Sequence, residues 1–410
     1  MSMLQMSMLQ MSMLQMSTMH ALLAACFWCS TLAVLYAYLG YPLLIWTLAR
    51  LFGRAPRPGP VDTDGAPRIA LVIAAHNEAA VIEARIENAL ALDYPRDRLD
   101  IVIASDGSVD ATPHICLQFG GQIRALLFPH RRGKAATLNA AVAEIDAEIV
   151  AFSDANTFMN PDALLLLARW FRDPAVGAVC GRLVLSDPQT GTNADGIYWR
   201  YETFLKRSES RLGALLGANG AIYAIRRTLF TPLPAGTVID DFVIPLAARM
   251  RSGCRIVYDP EAIAHEDTAP DVRGEFHRRA RIGVGGFQAI GFLWRLLSPR
   301  HGWTAFTFWS HKVLRWCCPL LLLAALGSAA SLAYEPVYRA ALGAQILFYA
   351  VCAAAAYIPP TNRACRILRV FPMFASMNLA LLLGLLRWTR GNESGIWKRT
   401  ERLQDLTQSV

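Results

Sequence analysis

Charged residues are scarce in this 410-residue sequence, and several common site motifs are missing from it. Asp, Glu, Lys and Arg together make up 18% of the chain, whereas soluble domains usually carry about a quarter. Apolar residues make up 54%, which excludes a wholly soluble protein. The nine cysteines are odd in number and scattered, which argues against a disulfide framework. The one C-x-x-C string, Cys26 to Cys29, has no second pair to complete a zinc site.

The sequence has a net charge of +8 at pH 7. Such a charge suits either a nucleic-acid partner or loops beside an anionic membrane. The basic residues cluster at the ends of apolar runs, and the sequence has no basic groove interleaved with aromatic residues. We therefore expect membrane lipid, and no nucleic acid, among the partners.

A long uncharged run lies near the N-terminus. Residues 21–49 carry no charged side chain, which exceeds the roughly 20 apolar residues that cross a bilayer, so they are predicted to form a transmembrane helix. Arg50, Arg54, Arg57 and Arg68 follow it, which places the N-terminus outside and the next domain in the cytoplasm. Residues 1–20, which begin with three copies of Met-Ser-Met-Leu-Gln, are set apart as a low-complexity segment.

A second membrane region is predicted over residues 303–388, followed by a polar tail at 389–410. Its apolar runs cover residues 316–334, 340–358 and 371–386. If the third run crosses the membrane, the basic tail that follows it lies outside the cell, against the positive-inside rule. The sequence therefore predicts either two or three transmembrane helices in this region. A bacterial inner (plasma) membrane fits this topology.

Between the membrane regions, short apolar runs alternate with amphipathic stretches of helix length. This alternation predicts an α/β fold with a mostly parallel sheet. The strand candidates cover residues 69–74, 100–104, 123–128, 148–152 and 177–185, and the helix candidates include 78–92 and 134–145.

Polar clusters follow three of these strands, where ligands bind in such sheets. They are His76-Asn77-Glu78, Ser105-Asp106-Gly107-Ser108 with Asp110, and Ser153-Asp154-Ala155-Asn156. Each cluster alone also suits a helix cap or a turn. The sequence has no P-loop and no strand-linked G-x-G-x-x-G, so a phosphate has to be held by side chains and a divalent cation.

These residues resemble the membrane-bound family 2 glycosyltransferases, which have a GT-A (Rossmann-like) fold. They resemble especially the synthases related to cellulose, chitin-oligosaccharide, hyaluronan and poly-N-acetylglucosamine synthases. The resemblance implies a cytoplasmic GT-A domain over residues 68–275, flanked by transmembrane helices. It also assigns substrate-binding residues: Asn77, Glu78, Asp106 and Gly107 beside the nucleotide, Lys134 and Asn139 in a stretch like G-K-x-x-x-L-N, Asp154 at the D-x-D position, and Gly217, Asn219 and Gly220 near the acceptor.

The resemblance further implies one catalytic residue, Asp241, and three more substrate-binding residues, Asp240, Arg278 and Arg281. Asp240 and Asp241 stand at the family's Thr-Glu-Asp string, which makes Asp241 the general base. Arg278 and Arg281 fall at the Q-x-x-R-W segment and are expected to bind the diphosphate. The Asp pair would also suit a helix N-cap, and the arginines would also suit the basic face of an interfacial helix.

Two departures from the family pattern affect the expected chemistry. Asn156 stands where the D-x-D motif has its second carboxylate, so Asp154 and Asn156 are expected to hold Mg2+ or Mn2+ more weakly. Ile282 replaces the motif Trp, whose apolar face would stack on an acceptor sugar, and this puts processive synthesis in doubt.

The implied function is inverting transfer of a hexose or N-acetylhexosamine from a nucleotide sugar, with UDP expected, to a glycan acceptor in polysaccharide or exopolysaccharide synthesis. The alternative is transfer of one sugar to a polyprenyl-linked acceptor, and a non-catalytic nucleotide-sugar-binding membrane protein is the alternative of another class. Residues 276–297 are predicted to form an amphipathic helix at the membrane surface. Three or four transmembrane helices are few for an exporting channel, which favours an oligomer or an export partner.

Overall fold

The computed structural model describes residues 3–54, 57–186, 197–267, 272–355 and 370–391. Most of the predicted polar tail, residues 392–410, therefore lies outside the described residues. The chain divides into two compact units. One consists of Met1–Leu44 and Ser310–Leu383, and the other of Ile45–Trp309 and Gly384–Val410.

Four helical segments of the described chain are long and apolar enough to cross a membrane. They are Leu14–Leu51, Trp303–Ser331, Pro336–Ala355 and Val370–Thr389. Their helices are α1 (Met3–Leu35), α2 (Tyr41–Leu51), α10 (Trp303–Thr307), α11 (Leu314–Ser331), α12 (Pro336–Ala355) and α13 (Val370–Thr389). The third predicted apolar run of the C-terminal region is therefore a helix of 20 residues, or about 30 Å, which matches the hydrocarbon thickness of a bilayer.

The second unit contains a sheet of eight strands among its described residues. The strands are β1 (Ile69–Ala75), β2 (Leu99–Asp106), β3 (Arg124–Phe128), β4 (Ile149–Asp154), β5 (Thr157–Met159), β6 (Val176–Ser186), β7 (Tyr223–Arg226) and β8 (Arg255–Asp267). Their order is β3-β2-β1-β4-β7-β6-β8-β5, and in this part of the chain only β5 and β7 run against the others. The mostly parallel α/β sheet predicted from the sequence is confirmed.

The sheet is covered on both faces, which explains why its central strands are almost wholly apolar. All seven residues of β1 are buried. The crossover and flanking helices are α3 (Ile82–Leu90), α4 (Thr112–Gln118), α5 (Lys134–Ala143), α6 (Ala163–Ala168), α7 (Ile197–Arg211), α8 (Asp240–Ser252) and α9 (Val272–Phe292). Successive side chains of β1 point to opposite faces of the sheet, so Leu71 and Ile73 share one face, and both belong to the main core together with Ile82 and Ile86 of α3.

The five predicted strands are present with small shifts of their ends, but three further strands had no clear sequence signal. Two of them, β5 and β7, have three and four residues and are too short for a periodic pattern. The short strand β7 lies antiparallel between β4 and β6, so the latter two are not neighbours. The carboxyl ends of β1, β2 and β4 lie side by side, because β1 pairs in parallel with both other strands.

Candidate active site

The loops after β1 and β2 are joined by side-chain hydrogen bonds into one structure. The backbone amide of Asn77 donates to Ser108 Oγ at 3.0 Å, and the backbone amide of Val109 donates to the side-chain oxygen Oδ1 of Asn77 at 2.9 Å. Asn77 has a φ of 54°, and Asn tolerates this left-handed conformation better than most residues. The adjacent residue Glu78 is buried, and its amide donates to Thr112 Oγ1 at 2.8 Å.

Asp106 connects these loops to the start of α5. Its fully buried carboxylate accepts hydrogen bonds from the amides of Arg132 (2.7 Å) and Gly133 (2.9 Å). The next residue, Gly107, has a φ of +61°, and a Cβ there would lie 2.4 Å from the Arg131 nitrogen. The described contacts therefore make Asp106 an anchor for the loop before Lys134, while its contact with the nucleotide stays a prediction.

Lys134 lies between two carboxylates at the first residue of α5. Its Nζ is 2.9 Å from Asp154 Oδ1 at the end of β4 and 3.3 Å from Asp240 Oδ1 at the start of α8. Burial alone would lower the pKa of Lys134, but Asp154 and Asp240 together raise it above its ordinary value. The ammonium group is therefore a permanent positive charge at this edge of the sheet.

Asp241 is held by the loop over residues 217–220. The Gly220 amide donates to Asp241 Oδ2 at 2.9 Å, and the Ala218 amide donates to its backbone carbonyl at 2.9 Å. Gly217 has a φ of +75°, and a Cβ there would come within 2.8 Å of the Phe242 ring. These bonds fix the carboxylate at the beginning of α8, in the first turn, where the helix dipole favours a negative charge.

The charge on Asp241 is nevertheless unfavourable. Burial and the neighbouring Asp240 raise the pKa of Asp241 to about 6, although Lys134 and Lys206 act in the opposite direction. The hydroxyl of Tyr223 is affected by the same acidic side chains. Its pKa is raised well above the ordinary value by burial and then by the charges of Asp240, Asp241 and Asp154.

A further carboxylate, Glu266 near the end of β8, lies beside the D-x-D-like string. Asn156 Nδ2 donates to Glu266 Oε1 at 2.6 Å. Among the described residues no group of three or more His, Cys, Asp or Glu side chains is arranged to hold a metal ion. The oxygen donors offered at this place are therefore few: the carboxylate of Asp154, whose side chain is 36% exposed, and the side-chain amide oxygen of Asn156. So small a set of ligands suits a cation that takes its other ligands from phosphate and water.

Two of the predicted binding residues contact the protein backbone. Asn139 donates to the Leu233 carbonyl at 2.9 Å and accepts from the Leu233 amide at 2.8 Å, which fixes the segment that leads to Asp240. Asn219 donates from Nδ2 to the Gly181 carbonyl at 2.9 Å, and its Oδ1 accepts a hydrogen bond from Lys206 Nζ. Both asparagines therefore shape the site through its loops.

Helix α9 packs on the segment before Asp240. Gln288 Nε2 donates to the Gly236 carbonyl at 3.1 Å, and a Cβ on Gly285 would lie 2.8 Å from the Ile239 side chain. Arg278 and Arg281 precede Gly285 by seven and four residues, so they lie on the same face of α9. Both arginines take part in contacts within the protein, and their binding to a diphosphate stays a prediction.

The site residues are thus joined around one cluster. Lys134, Asp154, Asp240, Asp241 and Gly220 are brought together by direct contacts. The sequence reasoning missed Lys206, Tyr223 and Glu266, which lie on α7, β7 and β8. No strand-end motif marked them, since α7 and β7 carry no such polar cluster and β8 was not predicted.

Comparisons with known proteins concern the domain that carries these residues. Residues 70–231 match the family model described as Glycosyl transferase family 2. The chain contains a glycosyl transferase family 2 domain. The matched range includes Asp106, Lys134, Asp154 and the 217–220 loop, and it ends before Asp240.

Two curated relatives share this domain. A beta-monoglucosyldiacylglycerol synthase of Synechocystis sp. is 25% identical over 286 residues, covering 63% of this chain and 59% of that protein. A poly-beta-1,6-N-acetyl-D-glucosamine synthase of Staphylococcus aureus is 25% identical over 244 residues, covering 56% of this chain and 57% of that protein. The chain therefore spans somewhat more than half the length of the relatives that it matches.

One solved structure covers most of the chain. The mannosyltransferase PcManGT from Pyrobaculum calidifontis, in complex with GDP-Man and Mn2+, superposes with a TM-score of 0.69 at 22% identity, covering 90% of this chain and 100% of that one. The likeness confirms the GT-A fold of the glycosyl transferase family 2 domain.

Proposed function

We propose that this protein is an inverting hexosyltransferase that moves a hexose or N-acetylhexosamine from a nucleotide sugar, with UDP as the expected nucleotide, to a glycan acceptor. The observation that carries the proposal is the cluster of Lys134, Asp154, Asp240 and Asp241 at the carboxyl edge of the family 2 domain. Such an edge is where α/β sheets bind ligands. The cluster supplies one base and one fixed cation, which is the minimum that this reaction requires.

Asp241 acts as the general base in this proposal. With a pKa of about 6 it is mostly ionised at neutral pH, and it still binds a proton more readily than an exposed carboxylate. The Gly220 amide holds Oδ2, so the carboxylate is oriented before an acceptor arrives. Asp241 accepts the proton of the acceptor hydroxyl as that oxygen attacks the anomeric carbon. The bond from that carbon to the diphosphate breaks in the same step, so no covalent sugar–enzyme intermediate is needed.

Lys134 and Arg281 offset the charge of the departing diphosphate. Lys134 is already positioned by Asp154 and Asp240, so little reorganisation is needed when negative charge develops nearby. Asp240 has a different role from Asp241 because it pairs with this ammonium group. Arg281 lies on the face of α9 that packs against residues 236–239, on the approach to the same cluster.

A divalent cation, Mg2+ or Mn2+, fits beside Asp154 and Asn156. The donors there are oxygen atoms, and Glu266 orients the Asn156 amide by accepting from its nitrogen, which directs the amide oxygen away from Glu266. A cation bound there supplies charge neutralisation at the diphosphate. The solved mannosyltransferase with this fold contains Mn2+ and GDP-Man, which supports a metal and a nucleotide sugar here.

The four apolar helices support a membrane-associated enzyme. We place the catalytic domain on the cytoplasmic side of a bacterial inner membrane, because the arginines after the first helix favour that side. The relative from Staphylococcus aureus is named for a polysaccharide product, which supports a role in polysaccharide synthesis.

Transfer of a single sugar to a lipid-linked acceptor is the second candidate. Two observations favour it: Ile282 offers no aromatic face for a growing chain, and the relative from Synechocystis is named for a glucosylated diacylglycerol. Product length separates the two candidates.

The test is nucleotide release by the full-length protein in lipid with Mg2+ or Mn2+. UDP-glucose, UDP-N-acetylglucosamine, UDP-galactose and GDP-mannose are compared as donors for the wild type, Asp241→Asn and Asp146→Asn. The Asp146 side chain is 90% exposed, so Asp146→Asn is a matched control for the same chemical change. We expect release with one donor, loss in Asp241→Asn with UDP binding retained, and no change in Asp146→Asn. Donor binding without turnover under all conditions, including added lipid acceptors, would favour the non-catalytic alternative.

A further inference from the structure

Lys206 on α7 is a second lysine near the acidic cluster, and its charge is not paired directly. Its side chain is partly buried, and Nζ donates to Asn219 Oδ1. Lys206 forms no ion pair with any of the described residues, although Glu202 and Glu209 lie four positions before it and three positions after it on the same helix. An ammonium group has three N–H donors, so this one has both charge and hydrogen-bonding capacity beyond its contact with Asn219.

Asp241 is the carboxylate of the cluster that lacks a direct ionic partner. Lys134 Nζ is 2.9 Å from Asp154 Oδ1 and 3.3 Å from Asp240 Oδ1. Asp241 itself forms no ion pair within the part of the chain that the structure describes. One lysine therefore contacts two of the three carboxylates, and the charge of the third has to be stabilised by groups further away.

The 217–220 loop connects Lys206 to Asp241. The side chain of Asn219 is held at both ends, because Oδ1 accepts from Lys206 and Nδ2 donates to the Gly181 carbonyl of β6 at 2.9 Å. The next residue, Gly220, donates its amide to Asp241 Oδ2 at 2.9 Å. Asn219 and the Gly220 amide share one planar peptide unit, so a shift of Asn219 also moves the hydrogen bond that orients the carboxylate.

The buried thiol of Cys180, on β6, lies near both charges. Burial raises the pKa of this thiol, while the charge of Lys206 acts to lower it and the charge of Asp241 acts to raise it. The same opposition is found at Asp241, where burial and Asp240 raise the pKa and Lys134 and Lys206 act to lower it. Lys206 therefore lies close enough to Asp241 for the two charges to interact.

We propose that Lys206 is a positioning residue for sugar transfer: it holds the Gly220 amide against Asp241 through Asn219, and it supplies a positive charge that Asp241 does not receive from a direct ion pair. The inference rests on the proposed transferase function and adds a residue to that site. Groups that are fixed before the reaction lower its barrier because they need not reorganise during it. Since Lys206 acts through the loop and not through the diphosphate side of the cluster, its loss should slow transfer more than it weakens donor binding.

A double-mutant cycle tests the interaction without a donor and without turnover. Melting temperatures of the full-length protein in detergent at pH 8 are compared for the wild type, Lys206→Met, Asp241→Asn and the variant with both changes. Met is also a long side chain with a high helix propensity, so Lys206→Met removes the charge and changes little else. We expect Lys206→Met to lower the melting temperature by roughly 2–4 °C more in the wild-type background than in the Asp241→Asn background, because only ionised Asp241 interacts with the lost charge.

Nucleotide release, with the donor that the wild type uses, tests the role in transfer. Lys206→Met should lower kcat about tenfold with the donor KM and UDP binding nearly unchanged, because a base that is no longer held in place slows the chemical step. Lys206→Arg keeps the positive charge and should recover most of the rate. Arg211→Met is the matched control, since Arg211 lies on the same helix and is exposed, and the loss of its charge should not change kcat.

Three results would overturn the assignment: equal effects of Lys206→Met on the melting temperature in the two backgrounds, an unchanged kcat in Lys206→Met, or a rate in Lys206→Arg as low as in Lys206→Met. The last would show that the site requires the packing of the lysine side chain and not its charge. The cycle needs no donor, so absent coupling, which overturns this inference, is distinct from failure of the transferase proposal, which is no nucleotide release by the wild type with any donor.

Discussion

Replacement of Asp241 by Asn should inactivate the protein and make it more stable at neutral pH. The carboxylate is held among other charges, and Asn keeps nearly the same shape and an oxygen that can accept the Gly220 hydrogen bond. The substitution therefore removes a largely buried charge while preserving the local packing. If Asp241 is the general base that we propose, it is a catalytic group retained at a cost in stability.

The expected gain in the free energy of unfolding follows from the pKa of Asp241. Burial and Asp240 raise it from 3.8 to about 6, which corresponds to roughly 3 kcal/mol of unfavourable interaction with the charged form. Between these two values the folded state binds more protons than the unfolded state, so the free energy of unfolding falls as the pH rises. The gain from Asp241→Asn should therefore reach up to roughly 3 kcal/mol above pH about 6 and shrink towards zero near pH 4.

Thermal unfolding of the full-length protein in detergent measures this difference at pH 8, 7, 6 and 5. At pH 8 the variant should melt about 6–12 °C above the wild type if the family 2 domain behaves like other domains of its size. The control Asp146→Asn removes an exposed carboxylate and should show no pH-dependent difference. The reasoning is wrong if Asp241→Asn melts at or below the wild-type temperature at pH 8, or if its advantage is the same at pH 5 as at pH 8.

Four other measurements test the site and its supporting contacts. The turnover rate should fall about tenfold per pH unit below pH about 6, because protonated Asp241 cannot accept a proton; a flat pH–rate profile down to pH 5 would contradict this. Exhaustive chelation should abolish turnover, with recovery on adding Mg2+ or Mn2+, and full activity without metal would exclude the cation. Gly107→Ala should destabilise the protein by about 1–3 kcal/mol more than Gly121→Ala. Both glycines have a positive φ, but only at Gly107 would a new Cβ clash with the backbone of Arg131. Equal melting temperatures of the two variants would refute this. Arg85 is fully buried, its Nε and one terminal nitrogen have no hydrogen-bond partner among the described residues, and burial lowers its pKa to about 9. Arg85→Met should therefore cost no stability, and a large drop in melting temperature would show that the charge is compensated.

Much of the fold could be predicted because its main signals are local. The strands β1, β2 and β4 are apolar runs ended by polar residues, and the helices between them show their own periodicity. The same signals place Asp106 and Asp154 at one edge of a parallel sheet, and they place Asp240 and Asp241 at the beginning of a helix. These positions depend only on the residues within each segment and on the rule that parallel strands end at a common edge.

The roles of individual side chains were less predictable, as Asp106 and Asn139 illustrate. Both were expected beside the nucleotide, and in the structure both make hydrogen bonds to backbone groups of distant segments. Nothing in the residues around Asn139 indicates Leu233, which is 94 positions away. Glu266 is a similar case, since its proximity to Asn156 depends on the pairing of β5 with β8.

The sequence by itself determined the α/β class, the apolar helices and the strand ends at which chemistry is concentrated, because each of these follows from periodicity and composition over a few residues. Only the tertiary structure decided that Lys134 lies between Asp154 and Asp240, that Gly220 holds Asp241, and that Asn219 connects Lys206 of α7 to Gly181 of β6. Those contacts join segments far apart in the chain, and they depend on strand order and loop path, which no local pattern encodes.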